Sequence, residues 1–319
     1  MQPAALVTVE NVDRSFGSVT AVRDLSFSLH SGEVLGFLGP NGAGKSTTMR
    51  LITGNLPASA GTITIGGYDL QQDPVPARRL FGYLPDTPPL YRDCTVREFL
   101  HFCGKLHGLG RQQLPQAVDR CVERCGLGDV GNKLIAHLSK GFQQRVGIAQ
   151  AIVHDPELII LDEPTVGLDP RQIDEIRQLI RELGRSHSLL MSTHILSEVQ
   201  AVCSHLLIIN KGERVLHSAL ADLDQTEVQI RYRAAFNRPP DSDQLARLAG
   251  VGPVSPDEQG GYQIEFSERQ TGIDALLSAS LEQNWQLTEL APIHPSLEQL
   301  FLQITDAPAS TATADPPAP

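Results

Sequence analysis

Nine consecutive residues, Gly39-Pro40-Asn41-Gly42-Ala43-Gly44-Lys45-Ser46-Thr47, restrict the possible folds of this chain more than any other feature, because the pattern needs a strand before it and a helix after it. The apolar run Val34, Leu35, Phe37 and Leu38 predicts the strand, and Lys45 to Thr53 predicts the helix. Glycines at 39, 42 and 44 let the backbone turn tightly and approach an anion, so that main-chain N–H groups and the positive helix start face it. Lys45 then reaches the β- and γ-phosphates as a point charge, and the Ser46 hydroxyl suits a hard magnesium ion. The segment reads as a phosphate-binding loop for a nucleoside triphosphate with magnesium.

A second segment fits the same chemistry. Leu158, Ile159, Ile160 and Leu161 form an unbroken apolar run, the pattern of a strand buried on both faces of a parallel sheet, and Asp162 and Glu163 close it. Carboxylates at the C-terminal end of such a strand sit in the crevice where open α/β sheets bind ligands. Asp162 is placed to hold the magnesium shell, and Glu163 to orient and deprotonate an attacking water.

Further pieces bring out a family. Through Leu138-Ser139-Lys140-Gly141-Phe142-Gln143-Gln144-Arg145, Gly167-Leu168-Asp169-Pro170, His194 and Phe16, residues 4–220 resemble the ATP-binding subunit of ABC transporters. The resemblance implies an α/β P-loop ATPase with an antiparallel β subdomain and a helical subdomain at about 91–153. It also implies a head-to-tail dimer of two copies sandwiching two ATP molecules with Mg2+. In such a dimer Ser139 and Gly141 would meet the γ-phosphate bound by the other copy, and Asp169 would line the contact. Phe16 would stack on adenine, and His194 would hold the γ-phosphate and water beside Lys45 and Glu163. Lys140 and Phe142 replace the usual Gly and Gln of the signature, and Asp86 replaces the usual switch-loop Gln. Asp is charged and one methylene shorter than Gln, so Asp86 is expected to touch the magnesium or its water indirectly. With Leu90-Tyr91 and Pro164-Thr165-Val166, these departures resemble the export-type (ABC-2) branch, whose permeases are separate six-helix membrane proteins. Within it the chain looks similar to gliding-motility ATP-binding subunits, with no claim about motility. The competing assignment is a soluble ABC ATPase acting on a ribosomal or nucleic-acid partner; an importer ATPase would differ only in its partner.

The 319 residues exceed a usual single domain, and 41% are hydrophobic, enough for a substantial core. The net charge of −11, from 26 basic and 37 acidic side chains without a basic stripe, disfavours nucleic acid as a partner. No stretch approaches the ~20 apolar residues of a membrane span, and the N-terminus lacks a secretion signal. The expected place is the cytosol, against the inner face of the membrane through a polytopic permease. Five cysteines, with Cys121 and Cys125 one helical turn apart, lack zinc-site spacing and read as reduced structural thiols.

Along the chain, Leu6 to Val9, then Leu25, Phe27 and Leu29, then Thr62 to Ile65 predict strands of an antiparallel edge around the phosphate-binding strand. Thr95 with Glu98 forms a capping box, and 95–153 reads as helical with breaks at 108–110 and 126–131. Its junction with Asp86 to Tyr91 is the expected groove for a permease helix. Residues 170–184 predict a helix, and Ser188 to Ser192 and Leu206 to Ile209 predict strands. Residues 1–220 are thus the expected ATP-binding domain. A small α+β module is expected at 221–306, with strands around Val228 to Tyr232 and Tyr262 to Phe266 and helices at 242–248, 270–283 and 296–304. Pro253, Pro256 and Gly260-Gly261 read as loops, and the Ala, Pro, Thr and Ser of 307–319 predict a disordered tail.

Overall fold

The structure is a computed structural model and describes residues 5–223, 231–257 and 260–293. The expected helix at 296–304, the tail at 307–319 and residues Val228 and Ile230 lie outside the described residues. The chain divides into two compact units, Met1–Leu220 and Ala221–Pro319.

In the first unit, β1 (Ala5–Phe16), β2 (Val19–His30) and β3 (Val34–Leu38) lead into α1 (Lys45–Ile52), followed by β4 (Ala60–Ile65), β5 (Tyr68–Asp69), α2 (Pro74–Arg79) and β6 (Phe81–Leu84). Next come α3 (Val96–Leu106), α4 (Leu114–Arg124), α5 (Lys140–Ile152), β7 (Leu158–Asp162), α6 (Pro170–Gly184), β8 (Ser188–Thr193) and α7 (Leu196–Val202). The series closes with β9 (His205–Asn210) and β10 (Glu213–Ala219), and the short α8 (Leu220–Leu223) begins at the last residue of this unit.

Six strands form a sheet in the order β10-β9-β3-β8-β7-β6, parallel except for β10 against β9. All residues of β3 and β7 are buried, so both faces of the sheet must be covered. Alternate side chains serve two cores. Val34, Ile159, Leu161 and Leu189 join Leu100, Val118, Ile148 and Leu179 of the helices, whereas Leu35, Phe37, Ile160 and Leu190 join Val9, Leu25, Phe27 and Ile63 of the other sheet. That other sheet has the order β2-β1-β4-β5. The antiparallel strands therefore form a sheet of their own and not an edge of the parallel one. The buried face of Val7, Val9, Val12, Leu25, Phe27 and Leu29 requires that arrangement, because it packs face to face against the parallel sheet.

The helical subdomain begins at the predicted capping box: Glu98 N donates to Thr95 Oγ1 at 3.3 Å and Thr95 N donates to Glu98 Oε2 at 2.8 Å. The break after α4 runs on to Ser139, through 3₁₀ turns at Gly128–Val130 and Ile135–His137. Cys103, Cys121 and Cys125 are buried and free in this subdomain, and burial pushes the Cys121 thiol up to about 12.

The second unit runs β11 (Arg231–Phe236), α9 (Ser242–Ala246), β12 (Val251–Pro256), β13 (Tyr262–Phe266), α10 (Arg269–Glu282) and β14 (Leu287–Ile293). Its antiparallel sheet has the order β12-β13-β11-β14, the split βαβ arrangement of ferredoxin-like modules. Phe236, Leu245, Ile264, Leu276 and Trp285 form its core, with the Phe236 and Trp285 rings edge to face at 6.2 Å. Pro253 and Pro256 lie within a strand and not in a loop. β12 is at the edge of its sheet, where a proline's missing N–H is tolerated.

Candidate nucleotide site

The parallel strands bring their C-terminal ends together, and the predicted residues Lys45, Ser46, Asp162, Glu163 and His194 collect there. β3 passes into the phosphate-binding loop and then α1, whose N-cap Gly44 has φ 106°. A Cβ at Gly44 would stand 2.6 Å from the Ala21 carbonyl oxygen, and one at Gly39 would stand 2.4 Å from that of Ile209, so both positions need glycine for space, and Gly44 needs it for its positive φ as well. Lys45, only 5% exposed, folds over the loop and donates from Nζ to the carbonyl oxygens of Gly39 at 2.9 Å and Pro40 at 3.2 Å. The same ammonium lies 3.4 Å from Glu163 Oε1.

β7 and β8 are register-matched at Asp162 and Ser192. Ser192 is fully buried; its Oγ donates to Asp162 Oδ1 at 2.5 Å and accepts from Glu163 N at 3.0 Å. Glu163 N also lies 3.2 Å from the Ser192 carbonyl oxygen. These bonds hold Glu163 in the left-handed region, at φ 50°, an unfavourable conformation for a glutamate. Its Oε2 meets His194 Nδ1 at 2.7 Å. One step behind this pair, Glu198 accepts from Thr165 Oγ1 at 2.5 Å and from Thr193 Oγ1 at 2.6 Å. Sequence reasoning did not single out Ser192, Thr165, Thr193 or Glu198 as functional.

Burial raises the Asp162 carboxyl above the usual range, a hydrogen bond from Ser192 opposes the shift, the Asp86 and Glu163 charges add to it, and a bond with Ser46 lowers it again. Burial, Asp162 and Asp86 likewise push the Tyr83 phenol upward. Asp162 thus lies within reach of the Ser46 hydroxyl and feels the charges of Asp86 and Glu163. The oxygens of Asp162 and Ser46 suit a hard divalent cation that keeps water and phosphate among its ligands, although no group of three or more acidic, His or Cys side chains gathers as a metal site among the described residues. Asp86 itself is exposed, with Oδ1 accepting from Thr87 N at 2.7 Å.

The structure unites the phosphate-binding loop and the start of α1, Gly39 to Thr47, with Asp162, Glu163 and His194, and Asp86 acts on Asp162 through its charge, while no hydrogen bond or ion pair among the described residues joins Phe16, Ser139, Gly141 or Asp169 to this group. Phe16 ends β1, is 45% exposed and carries the Arg14 guanidinium 4.7 Å from its ring centre. Ser139 is the exposed N-cap of α5, accepting from Phe142 N at 3.4 Å, and Asp169 is the exposed N-cap of α6, accepting from Gln172 N at 2.9 Å. Gly141 packs so closely on α6 that a Cβ would stand 2.8 Å from Gln172 Cδ. Ser139, Gly141, Phe142, Arg145, Gln172 and Glu175 border a cavity of about 270 Å³ between these two helix starts. Lys140 turns its ammonium against Gly167, whose φ is 70°.

A phosphate-binding loop and an acidic strand end in a parallel sheet, flanked by an antiparallel sheet and a helical subdomain, define a P-loop nucleotide-hydrolysing domain. The ABC transporter family pattern matches residues 22–166. The chain is 32% identical to the linearmycin resistance ATP-binding protein LnrL of Bacillus subtilis, over 94% of this chain and 98% of that protein. It is also 32% identical to the Nod factor export ATP-binding protein I of Paraburkholderia xenovorans, over 95% and 98% respectively. Among solved structures, cbiO1 of Clostridium perfringens, part of the ABC transporter complex cbiONQ, superposes with a TM-score of 0.64 at 26% identity over 70% of this chain and 92% of that one. The chain belongs to the ABC transporter ATP-binding family, whose members bind and hydrolyse ATP. These comparisons do not show the likeness to gliding-motility subunits.

Proposed function

We propose that this protein is the motor subunit of an export-type transporter: two copies close head to tail on ATP and thereby move a separate membrane permease. The observation that carries the proposal is the grouping of Lys45, Glu163 and His194 at the mouth of the phosphate-binding loop, with 3.4 Å between Lys45 and Glu163 and 2.7 Å between Glu163 and His194. In this reading the loop's N–H groups and Lys45 bind the β- and γ-phosphates. The Glu163 carboxylate takes a proton from the water that attacks the γ-phosphate, and His194 keeps the carboxylate aimed. Ser46 and Asp162, with Asp86 nearby, would hold Mg2+, which when bound neutralises charge on the phosphates. Phe16 offers its ring to the adenine. Ser139, Gly141 and Asp169, exposed or beside the cavity at two helix starts, would complete the site of the opposite copy. ATP binding closes the pair, and hydrolysis reopens it.

Two observations support a permease partner. Tyr91, Phe102 and Leu106 are 54%, 40% and 70% exposed beside the loop that follows Asp86, with Tyr91 packed on Phe99 and Phe102 at 5.8 and 5.3 Å. An exposed aromatic cluster of this kind suits the apolar face of a docking helix. Among the described residues no helix is long and apolar enough to cross a membrane, so a span would have to come from another chain or from residues outside the described ones. Export is supported by the relatives named for Nod factor export and linearmycin resistance. Glu163→Gln is the test: nucleotide binding should persist while phosphate release falls at least ~100-fold. Near-normal release would remove Glu163 from the role of base.

A further inference from the structure

Glu163 and His194 belong to different loops, and both loops are tied to a single buried carboxyl group. Glu198, in the first turn of α7, has a side chain only 1% exposed. One oxygen accepts from Thr165, two residues beyond Glu163, and the other accepts from Thr193, the residue before His194. Thr193 Oγ1 also accepts from Ile195 N at 3.1 Å, so the residues on both sides of His194 are pinned. Arg177 of α6 stands 4.0 Å from Glu198 Oε1 and reaches Ser197 Oγ at 3.4 Å, which fixes the start of α7. Burying a carboxyl group is costly unless its oxygens are satisfied, and here both are bonded to hydroxyls of the two loops that carry the reacting pair.

We propose that Glu198 is a positioning residue for hydrolysis: a two-pronged clamp that sets the spacing between the loop after β7 and the loop after β8, and with it the contact between Glu163 and His194. The proposal rests on the reading of those two residues as the hydrolytic pair, and goes beyond it by assigning the control of their separation to a group that touches neither. Misplacing a catalytic group by about 1 Å is sufficient to cost ~100-fold in rate, whereas nucleotide affinity depends on the phosphate-binding loop and the Phe16 surface, which the clamp does not hold.

The test uses the full-length chain, with phosphate release measured against ATP concentration. Glu198→Gln should lower kcat roughly tenfold and leave KM for ATP within about twofold of the parent. Thr165→Val should do the same, and Thr165→Ser, which keeps the hydroxyl, should restore the parent rate. In a His194→Ala background the Glu198→Gln loss should largely vanish, because groups that act through one contact are non-additive. Should Glu198→Gln fail to fold, the Thr165→Val and Thr165→Ser pair in both backgrounds carries the same test. An unchanged kcat, or a full repeat of the loss without His194, would overturn the clamp. Glu163→Gln reports separately on the base, so a failure there is distinguishable from a failure of the clamp.

Discussion

At the residue scale, the proposed chemistry rests on backbone strain at Glu163 held in place by the Ser192 hydroxyl. Glu163 sits at φ 50°, and its N–H is claimed by the Oγ and the carbonyl oxygen of Ser192, while the same Oγ donates to Asp162. Removing the hydroxyl should let Glu163 relax toward an ordinary conformation and leave a buried carboxylate short of a donor. Ser192→Ala is therefore expected to cost ~1–2 kcal/mol of stability and to lower kcat about tenfold, read by denaturant unfolding and by phosphate release. Lys45, Asp162 and Glu163 were legible in the sequence because each stands in a contiguous pattern whose chemistry is local, whereas His194 was reached only through the family resemblance. Ser192, Thr165, Thr193 and Glu198 were not: Ser192 meets Asp162, and Thr165 meets Glu198, only through the pairing of β7 with β8, and register between distant strands has no local signature.

At the scale of elements, hydrophobic period and capping did most of the specifying. β3, β7 and α3 were readable because an all-apolar run or a reciprocal cap leaves few alternatives. β12 was hidden by Pro253 and Pro256, which only an edge position tolerates, and β10 was hidden by its sparse burial as the outermost strand of the large sheet. A pH dependence belongs to the junction of α3 with the loop after α5, where the His107 and His154 rings stack at 3.6 Å with 6° between planes. Burial, helped by the His107 charge, pulls His154 down to about 4, and burial lowers His107 too. Both groups bind protons more readily when unfolded. Their contribution to stability is complete above the unfolded value near 6.5 and is lost as pH falls toward 4. Between pH 7 and pH 5 His154 alone should cost up to about 2 kcal/mol. His154→Gln keeps a donor for the Phe81 carbonyl, which His154 Nε2 now meets at 3.1 Å, and should flatten the stability profile over that range. An equally steep profile in the variant would place the titration elsewhere.

At the scale of the whole molecule, the residues predicted for the nucleotide site form two sets. The loop, the acidic strand end and His194 are gathered in one place, whereas Ser139, Gly141 and Asp169 mark another surface at the starts of α5 and α6. In the proposed dimer a second copy would oppose these two surfaces, and the acidic balance of −11 means that closure works against like charge unless nucleotide and cation supply new contacts. The described part of the second unit has its own sheet and core, and its ferredoxin-like topology was only partly readable, since the alternation of Tyr262, Ile264 and Phe266 is clear while the edge strands are not. The most direct measurement is sedimentation of the Glu163→Gln protein with and without ATP·Mg2+. A monomer is expected without nucleotide and a dimer with it, reverting as ATP is removed; a strictly monomeric protein at saturating ATP·Mg2+, with the proposed permease present as well, would contradict the proposed head-to-tail closure.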